Sequence, residues 1–223
     1  MAAYDLEEQE QISAIKAWWQ QYGALLTAAV TALAVGVAGY QIWNWYQRGQ
    51  SAAAAMVFAA VQKAAVEKDV KSAREKTGEL LEKYSQTAYA GMAALVSAKV
   101  QFDSGDLKNA KAQLAWAAEN ARDQALRDLA RLRLAYVLFD EKAYDEAMKQ
   151  LEKEPLAPYA PRYAELKGDL YAAQNNRAQA RGAYQNALSK LEEARKLGTE
   201  SGQEAGPYRE LLQTKLEALG EGQ

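Results

Sequence analysis

The sequence predicts an all-α protein in which one apolar helix precedes a stack of helix pairs. Three observations support this fold class: strong helix formers dominate, one long stretch lacks charge, and a turn motif recurs at a nearly constant spacing. All three isoleucines lie before residue 43, and strand formers are scarce after it. The 223-residue chain is therefore expected to contain a membrane anchor followed by a helical body.

The composition excludes several kinds of chemistry. The chain has no cysteine and no histidine, so it can form no zinc finger, thiol redox centre, histidine-dependent nucleophile or histidine-bound metal site. No cofactor is expected. Two of the 27 basic and four of the 29 acidic residues precede residue 49, which leaves 25 of each sign in the body. A body without a basic excess does not favour nucleic-acid binding.

The anchor is predicted from an uncharged stretch near the N-terminus. No charged residue lies between Lys16 and Arg48. The distance from Tyr22 to Tyr40 in a helix is about 27 Å at a rise of ~1.5 Å per residue, close to the ~30 Å hydrocarbon core of a bilayer. We therefore predict a transmembrane helix over residues 22–46.

Aromatic residues flank this span on both sides, as expected of side chains that settle at the level of the lipid headgroups. The predicted interfacial belts are Trp18, Trp19 and Tyr22 before the span, and Tyr40, Trp43, Trp45 and Tyr46 after it. A buried core helix and a cleaved signal peptide are the alternatives, but a signal peptide would begin with basic residues and have a shorter apolar stretch. Lys16 and Arg48 nearly balance, so charge alone leaves the orientation open.

The body contains a recurring turn followed by a small residue. In each of four segments, an alanine lies three positions after the last residue of a three-residue turn, and the intervals between these alanines are 37, 37 and 33 residues. This spacing is close to the ~34 residues of a tetratricopeptide repeat, in which a small residue lets the second helix pack closely on the first. The four alanines are Ala73, Ala110, Ala147 and Ala180.

These repeats are degenerate. Lys142 and Asn175 replace the turn glycine, and Gln101 occupies an expected aromatic position. The prediction is a TPR-like α-solenoid of about four degenerate helix pairs and a C-terminal capping helix. The pairs are expected near residues 51–84, 87–119, 123–153 and 158–197, with a flexible linker over 198–206 and the capping helix over 207–219.

Several stretches together resemble the YfgM family. They are the acidic start, the aromatic-flanked span, RLRLAYV at 131–137, LKGDLYAAQNNRAQARGAY at 166–184 and LLQTKLEAL at 211–219. The resemblance implies a single-pass protein of the bacterial inner membrane, with residues 1–21 as a short cytoplasmic segment and residues 47–223 as a periplasmic TPR-like domain. It further implies an ancillary role at the SecYEG translocon, alongside a PpiD-like periplasmic chaperone, and no catalytic residues.

The expected function is that of a membrane-tethered, non-enzymatic scaffold that assists secreted proteins after translocation. A solenoid offers a concave face lined by the first helix of each pair. We place Leu134, Val137 and Leu138 in the core. The residues expected on or beside the concave protein-binding groove are Phe58, Leu95, Lys99, Phe102, Leu132, Arg133, Tyr136 and Phe139.

Two other functions are compatible with the sequence. One is an enzyme that uses carboxylates near helix ends, although acids at those positions commonly cap helices or face solvent. The other is a regulatory scaffold that sequesters a signalling partner at the inner membrane, through the acidic residues 1–16. The carboxylates considered for the enzyme are Asp103, Asp106, Asp140, Glu141 and Asp145.

Overall fold

The computed structural model describes residues 2–196 and 205–220, with side chains for 11–196 and 206–220. The chain divides into two units, Met1–Gln50 and Ser51–Gln223. The described residues contain helices and connecting turns but no strand, which confirms the predicted all-α class. The helices of the described residues are α1 (Ala2–Val66), α2 (Val70–Lys83), α3 (Ala88–Asp103), α4 (Leu107–Asn120), α5 (Gln124–Asp140), α6 (Tyr144–Gln150), α7 (Ala160–Ala173), α8 (Arg177–Lys196) and α9 (Ala205–Ala218).

The first unit consists of the N-terminal part of α1. By length and composition, α1 is the one helix of the described residues that could cross a membrane. Its large apolar side chains are exposed, as Leu33 is at 71%. The hydroxyl of Thr27 donates to the carbonyl of Gly23 at 2.9 Å, and that of Thr31 donates to the carbonyl of Thr27 at 2.7 Å. These polar groups are thus satisfied within the helix, as a lipid environment requires.

The second unit contains the predicted helix pairs. The end of α1 and α2 form the first pair, and α3/α4, α5/α6 and α7/α8 form the others. Helix α6 ends at Gln150, earlier than predicted, and an irregular connection containing Pro155 and Pro158 leads to α7. Helix α9 begins at Ala205, two residues before the predicted start. The proline at 207 is compatible with this, because it lies within the first helical turn, where its missing N–H needs no partner. Most of the predicted linker over 198–206 lies outside the described residues.

All four pairs are joined by the same turn. The first turn residue has a positive φ in each case, and the amide of the next residue donates to the carbonyl five positions earlier at 2.8–2.9 Å. This is the Schellman arrangement that closes a helix C-terminus. The first turn residues are Lys68 (φ 56°), Gly105 (84°), Lys142 (61°) and Asn175 (61°). The structure therefore confirms the repeat register, including the three turns in which a residue other than glycine holds the positive φ.

The small residue after each turn is fully buried, as the repeat predicts. All four register alanines are 0% exposed. In the fourth pair, Gly168 of α7 meets the ring of Tyr184 of α8, and a Cβ added at Gly168 would lie 2.4 Å from a ring carbon. The hydroxyl of Tyr184 donates to Asp169 at 2.8 Å, which holds the ring in place. Close helix crossings of this kind need residues with little or no side chain.

A buried carboxylate ties the irregular connection to α5. Asp128 is 1% exposed and accepts hydrogen bonds from Gln124 at 2.8 Å and from the amide of Leu156 at 2.9 Å. Arg131 pairs with it at 3.1 Å and also donates to the carbonyl of Ala118 at 2.8 Å. The connection between the third and fourth pairs is thereby anchored without regular secondary structure.

Helix α9 closes the stack on the fourth pair. Leu212 is fully buried and packs with Ala164, Ala187 and Leu191. Lys215 bridges two carboxylates of α7, lying 2.8 Å from Glu165 and 2.7 Å from Asp169. This arrangement confirms the predicted capping helix, whose buried stripe faces the last pair.

Candidate protein-binding groove

The candidate groove lies between the first helices of the second and third pairs. On α3, the spacing of four and then three residues places Leu95, Lys99 and Phe102 on one helical face. On α5, Arg133 and Tyr136 share a face by the same rule. We call the surface bounded by these five side chains the α3–α5 groove.

A compact pocket forms one end of the α3–α5 groove. Its volume is about 240 Å³, and its lining is almost entirely apolar apart from two cationic side chains at the rim. Phe102 remains 39% exposed there, and Leu114 of α4 contributes to the wall. The pocket is lined by Leu95, Ala98, Lys99, Phe102, Leu114, Arg133, Tyr136 and Val137.

A larger pocket adjoins the compact one and shares Leu95, Lys99 and Arg133 with it. Its volume is about 520 Å³. The end of α1 contributes Phe58, whose ring lies 5.6 Å from that of Tyr89. The first helices of three successive pairs therefore supply the walls of two neighbouring pockets.

Two of the residues expected at the groove line neither pocket. Leu132 is 6% exposed and belongs to the main core of the second unit. Phe139 packs against that core, with its ring 5.8 Å from that of Tyr144 on α6. Both residues lie behind the groove and support α5, whereas the other six expected residues line a pocket.

The groove carries two cationic side chains at its rim, and one acid, Asp103, lines the larger pocket. Lys99 pairs with Asp103 one helical turn later. Arg133 is exposed, and its side chain makes no ion pair or hydrogen bond with another described residue. Burial raises the pKa of Tyr136 to about 12, with the nearby charge of Glu165 as a second cause.

Sequence reasoning missed part of the groove lining. Met92, Leu126 and Leu129 line the larger pocket, and Met92 is 37% exposed. The signal was present, because Met92 precedes Leu95 by three residues and Leu126, Leu129 and Arg133 follow helical spacing. Val137, assigned to the core, is buried and also forms part of the compact pocket.

The carboxylates considered for catalysis are dispersed among structural contacts. Asp106 caps α4 by accepting a hydrogen bond from the backbone amide of Asn109 at 3.2 Å, and it accepts another from the side-chain amide of Asn109 at 2.7 Å. The side-chain bond, followed by the backbone bond, lowers the pKa of Asp106. Glu141 pairs with Lys111 across the second and third pairs. Within the described residues, no group of acids is arranged to hold a metal ion.

The predicted belt residues of α1 are all exposed side chains of a single helix. Trp18 and Tyr22 contact each other, with ring centroids 5.7 Å apart. Trp19 packs over Gly23, where an added Cβ would lie 3.1 Å from the indole ring. The spacing of the two belts remains the predicted one, since α1 is helical throughout the interval.

Comparison with known proteins places this architecture in a family. A family model described as a tetratricopeptide repeat-like domain matches residues 16–221. A protein of Neisseria gonorrhoeae named ancillary SecYEG translocon subunit is 33% identical over 220 residues, covering 98% of this chain and 100% of the relative.

Two further relatives carry the same name. The protein of Haemophilus influenzae is 28% identical over 185 residues, covering 83% of this chain and 90% of the relative. The protein of Escherichia coli is 25% identical over 178 residues, covering 80% of this chain and 85% of the relative. From the helix pairs, the repeat register and these whole-length similarities, the chain belongs to the YfgM family of proteins with a tetratricopeptide repeat-like domain.

Proposed function

We propose that this protein is a membrane-tethered, non-enzymatic scaffold associated with the SecYEG translocon. Its second unit lies in the periplasm, where it works with a PpiD-like chaperone and assists secreted and envelope proteins as they emerge. The observation that supports this most strongly is similarity over nearly the whole chain to proteins named ancillary SecYEG translocon subunits.

Two structural features suit this role. The apolar α1 provides a tether, and a tether raises the local concentration of a weak binder near its partner. The α3–α5 groove provides an open surface with aromatic side chains, the residue type that contributes most to binding hot spots. Six residues of the predicted site supply the proposed protein contacts. They are Phe58, Leu95, Lys99, Phe102, Arg133 and Tyr136.

Site-specific photocrosslinking in living cells tests this proposal. A photoreactive amino acid at Phe102 lies in the compact pocket, and one at Ala115 on the exposed side of α4 serves as the matched control. We expect Phe102 to yield adducts with translocon subunits, the chaperone or secreted chains, and Ala115 to yield few. Adducts with a signalling protein alone, or equal adducts from both positions, would contradict the proposal.

A further inference from the structure

The two pockets of the α3–α5 groove have three residues in common. Leu95, Lys99 and Arg133 line both the compact pocket of about 240 Å³ and the larger one of about 520 Å³. These residues therefore lie where the pockets meet. A ligand that fills both pockets must pass the cationic groups at this junction.

Each pocket offers apolar surface on its own side of the junction. Phe102 and Tyr136 belong to the compact pocket, whereas Phe58, Met92 and Leu129 belong to the larger one. Phe102 and Met92 keep 39% and 37% of their surface exposed. Covering these side chains removes apolar area from water on both sides, so two separate apolar groups of a ligand are favoured.

One of the two cationic side chains at the junction, Arg133, has no pairing acid among the described residues. Asp103 lines the larger pocket and pairs with Lys99, so these two side chains together contribute little net charge. The guanidinium of Arg133 has no ion-pair or hydrogen-bonding partner among the described residues, and no acid lines the compact pocket. An exposed guanidinium between two apolar pockets matches a carboxylate, which it can bind through two parallel hydrogen bonds.

We infer that the α3–α5 groove binds an extended polypeptide segment in which an acidic side chain lies between two apolar or aromatic side chains. The acid pairs with Arg133, and the apolar side chains enter the two pockets. This inference rests on the proposed function and specifies the kind of segment that the groove selects. A segment lacking the acid binds through its apolar groups alone and more weakly.

The test measures the binding of fluorescent peptides to the full chain in nanodiscs of zwitterionic phosphatidylcholine. Apart from the residues under test, each peptide consists of glycine and serine. Each peptide carries one glutamate between two phenylalanines at varied spacing, and its matched control carries glutamine instead. At the best spacing, the glutamate peptide is expected to bind about tenfold more tightly, as for a hydrogen bond to a charged group.

Three variants separate the parts of the site. Arg133→Gln should abolish the preference for glutamate while retaining the weaker binding of the glutamine peptide. Lys99→Gln should reduce the preference only slightly, since Asp103 already pairs with that lysine. Phe102→Ala should weaken both peptides equally. Circular dichroism melts check folding, which Arg133→Gln should preserve because Arg133 is exposed and unpaired within the described structure.

The inference is overturned by any of three results: no peptide binds at any spacing, the glutamate and glutamine peptides bind equally, or Arg133→Gln keeps the preference. Vesicles containing phosphatidylglycerol provide a further test. If they bind through Arg133 and displace every peptide, the groove is an anionic-lipid site instead. If the glutamate preference is absent while translocon adducts from Phe102 persist in cells, this inference fails and the proposed function stands. If the glutamate preference is present while Phe102 yields no translocon, chaperone or secreted-chain adducts, the proposed function fails and the groove still selects the acidic segment.

Discussion

At the residue scale, the four repeat turns hold one position in the left-handed region although three of the four residues there have a side chain. A residue with a Cβ adopts this conformation at a cost of roughly 1–2 kcal/mol. The turn hydrogen bonds and the packing of both helices hold the backbone at a positive φ despite this cost. This applies to Lys68, Lys142 and Asn175.

Replacing Lys142 with glycine should therefore stabilise the protein by about 1 kcal/mol, since glycine adopts a positive φ without steric strain. Lys142→Ala is the matched control, because it removes the side chain but keeps the Cβ. Thermal melts of the chain in detergent, followed by circular dichroism, would measure the difference. An equal gain for both variants would show that the lysine side chain, and not the backbone, is responsible.

Two helical glycines offer a second contrast at this scale. Gly168→Ala should destabilise the protein by roughly 1–3 kcal/mol, because the new methyl group would overlap the ring of Tyr184. Gly182→Ala, in α8, meets no atom within 4 Å and should stabilise by up to ~1 kcal/mol through helix propensity. Urea unfolding of both variants checks the signs. A destabilised Gly182→Ala, or an unchanged Gly168→Ala, would contradict this packing.

At the element scale, the capping helix α9 is held by a mixed apolar and ionic contact. The hydroxyl of Tyr208 donates to Glu165 at 2.9 Å, and the guanidinium of Arg162 lies 3.9 Å from the centre of the Tyr208 ring. Burial lowers the pKa of Lys215, but hydrogen bonds with Asp169 and Glu165 outweigh this effect and raise it. Lys215 therefore remains charged when α9 is docked.

Lys215→Met should loosen α9, because it leaves Glu165, which is 3% exposed, with one fewer donor. We expect a loss of about 2 kcal/mol in the unfolding free energy, as for a buried acceptor deprived of a partner. Hydrogen exchange should increase first within Ala205–Ala218. The exposed Glu217→Gln serves as the control, and protection that is unchanged in Lys215→Met would show that the apolar contact of Leu212 alone holds the helix.

The elements could largely be predicted from the sequence, whereas these contacts could not. Alanine spacing and turn residues are local signals, so the helix pairs and the turns were predictable. Lys215, one of the side chains that donate to Glu165, follows it by fifty residues, and the amide bound by Asp128 lies 28 residues away. Nothing in the local pattern indicates such pairs. The groove was predictable in part, because helical periodicity identifies faces but does not distinguish a pocket wall, such as Phe102, from the support behind it, such as Phe139.

At the scale of the whole molecule, the proposed function requires a defined orientation in the membrane. The uncharged span of α1 separates residues 1–21 from the helix pairs. Nearly balanced flanking charges do not determine which side each part occupies, and a long following domain translocates largely regardless of them.

If the second unit is periplasmic, protease added to intact spheroplasts should degrade the residues after about 49. The span itself should be protected, because lipid shields it. An epitope at the N-terminus should stay protected until the membrane is permeabilised. A cytoplasmic protein followed in the same samples reports lysis. A second unit that resists protease until the membrane is disrupted would reverse the proposed orientation.

The long sequence separation between Glu165 and Lys215 also bears on how the chain folds as it is synthesised. Contacts within each helix pair join nearby residues, so the early pairs can form as soon as they emerge. The fourth pair differs, because its buried Glu165 gains its lysine partner only when the last helix is available. Folding-force measurements on nascent chains of increasing length should therefore record a distinct final step after residue 215 emerges, and Lys215→Met should weaken that step.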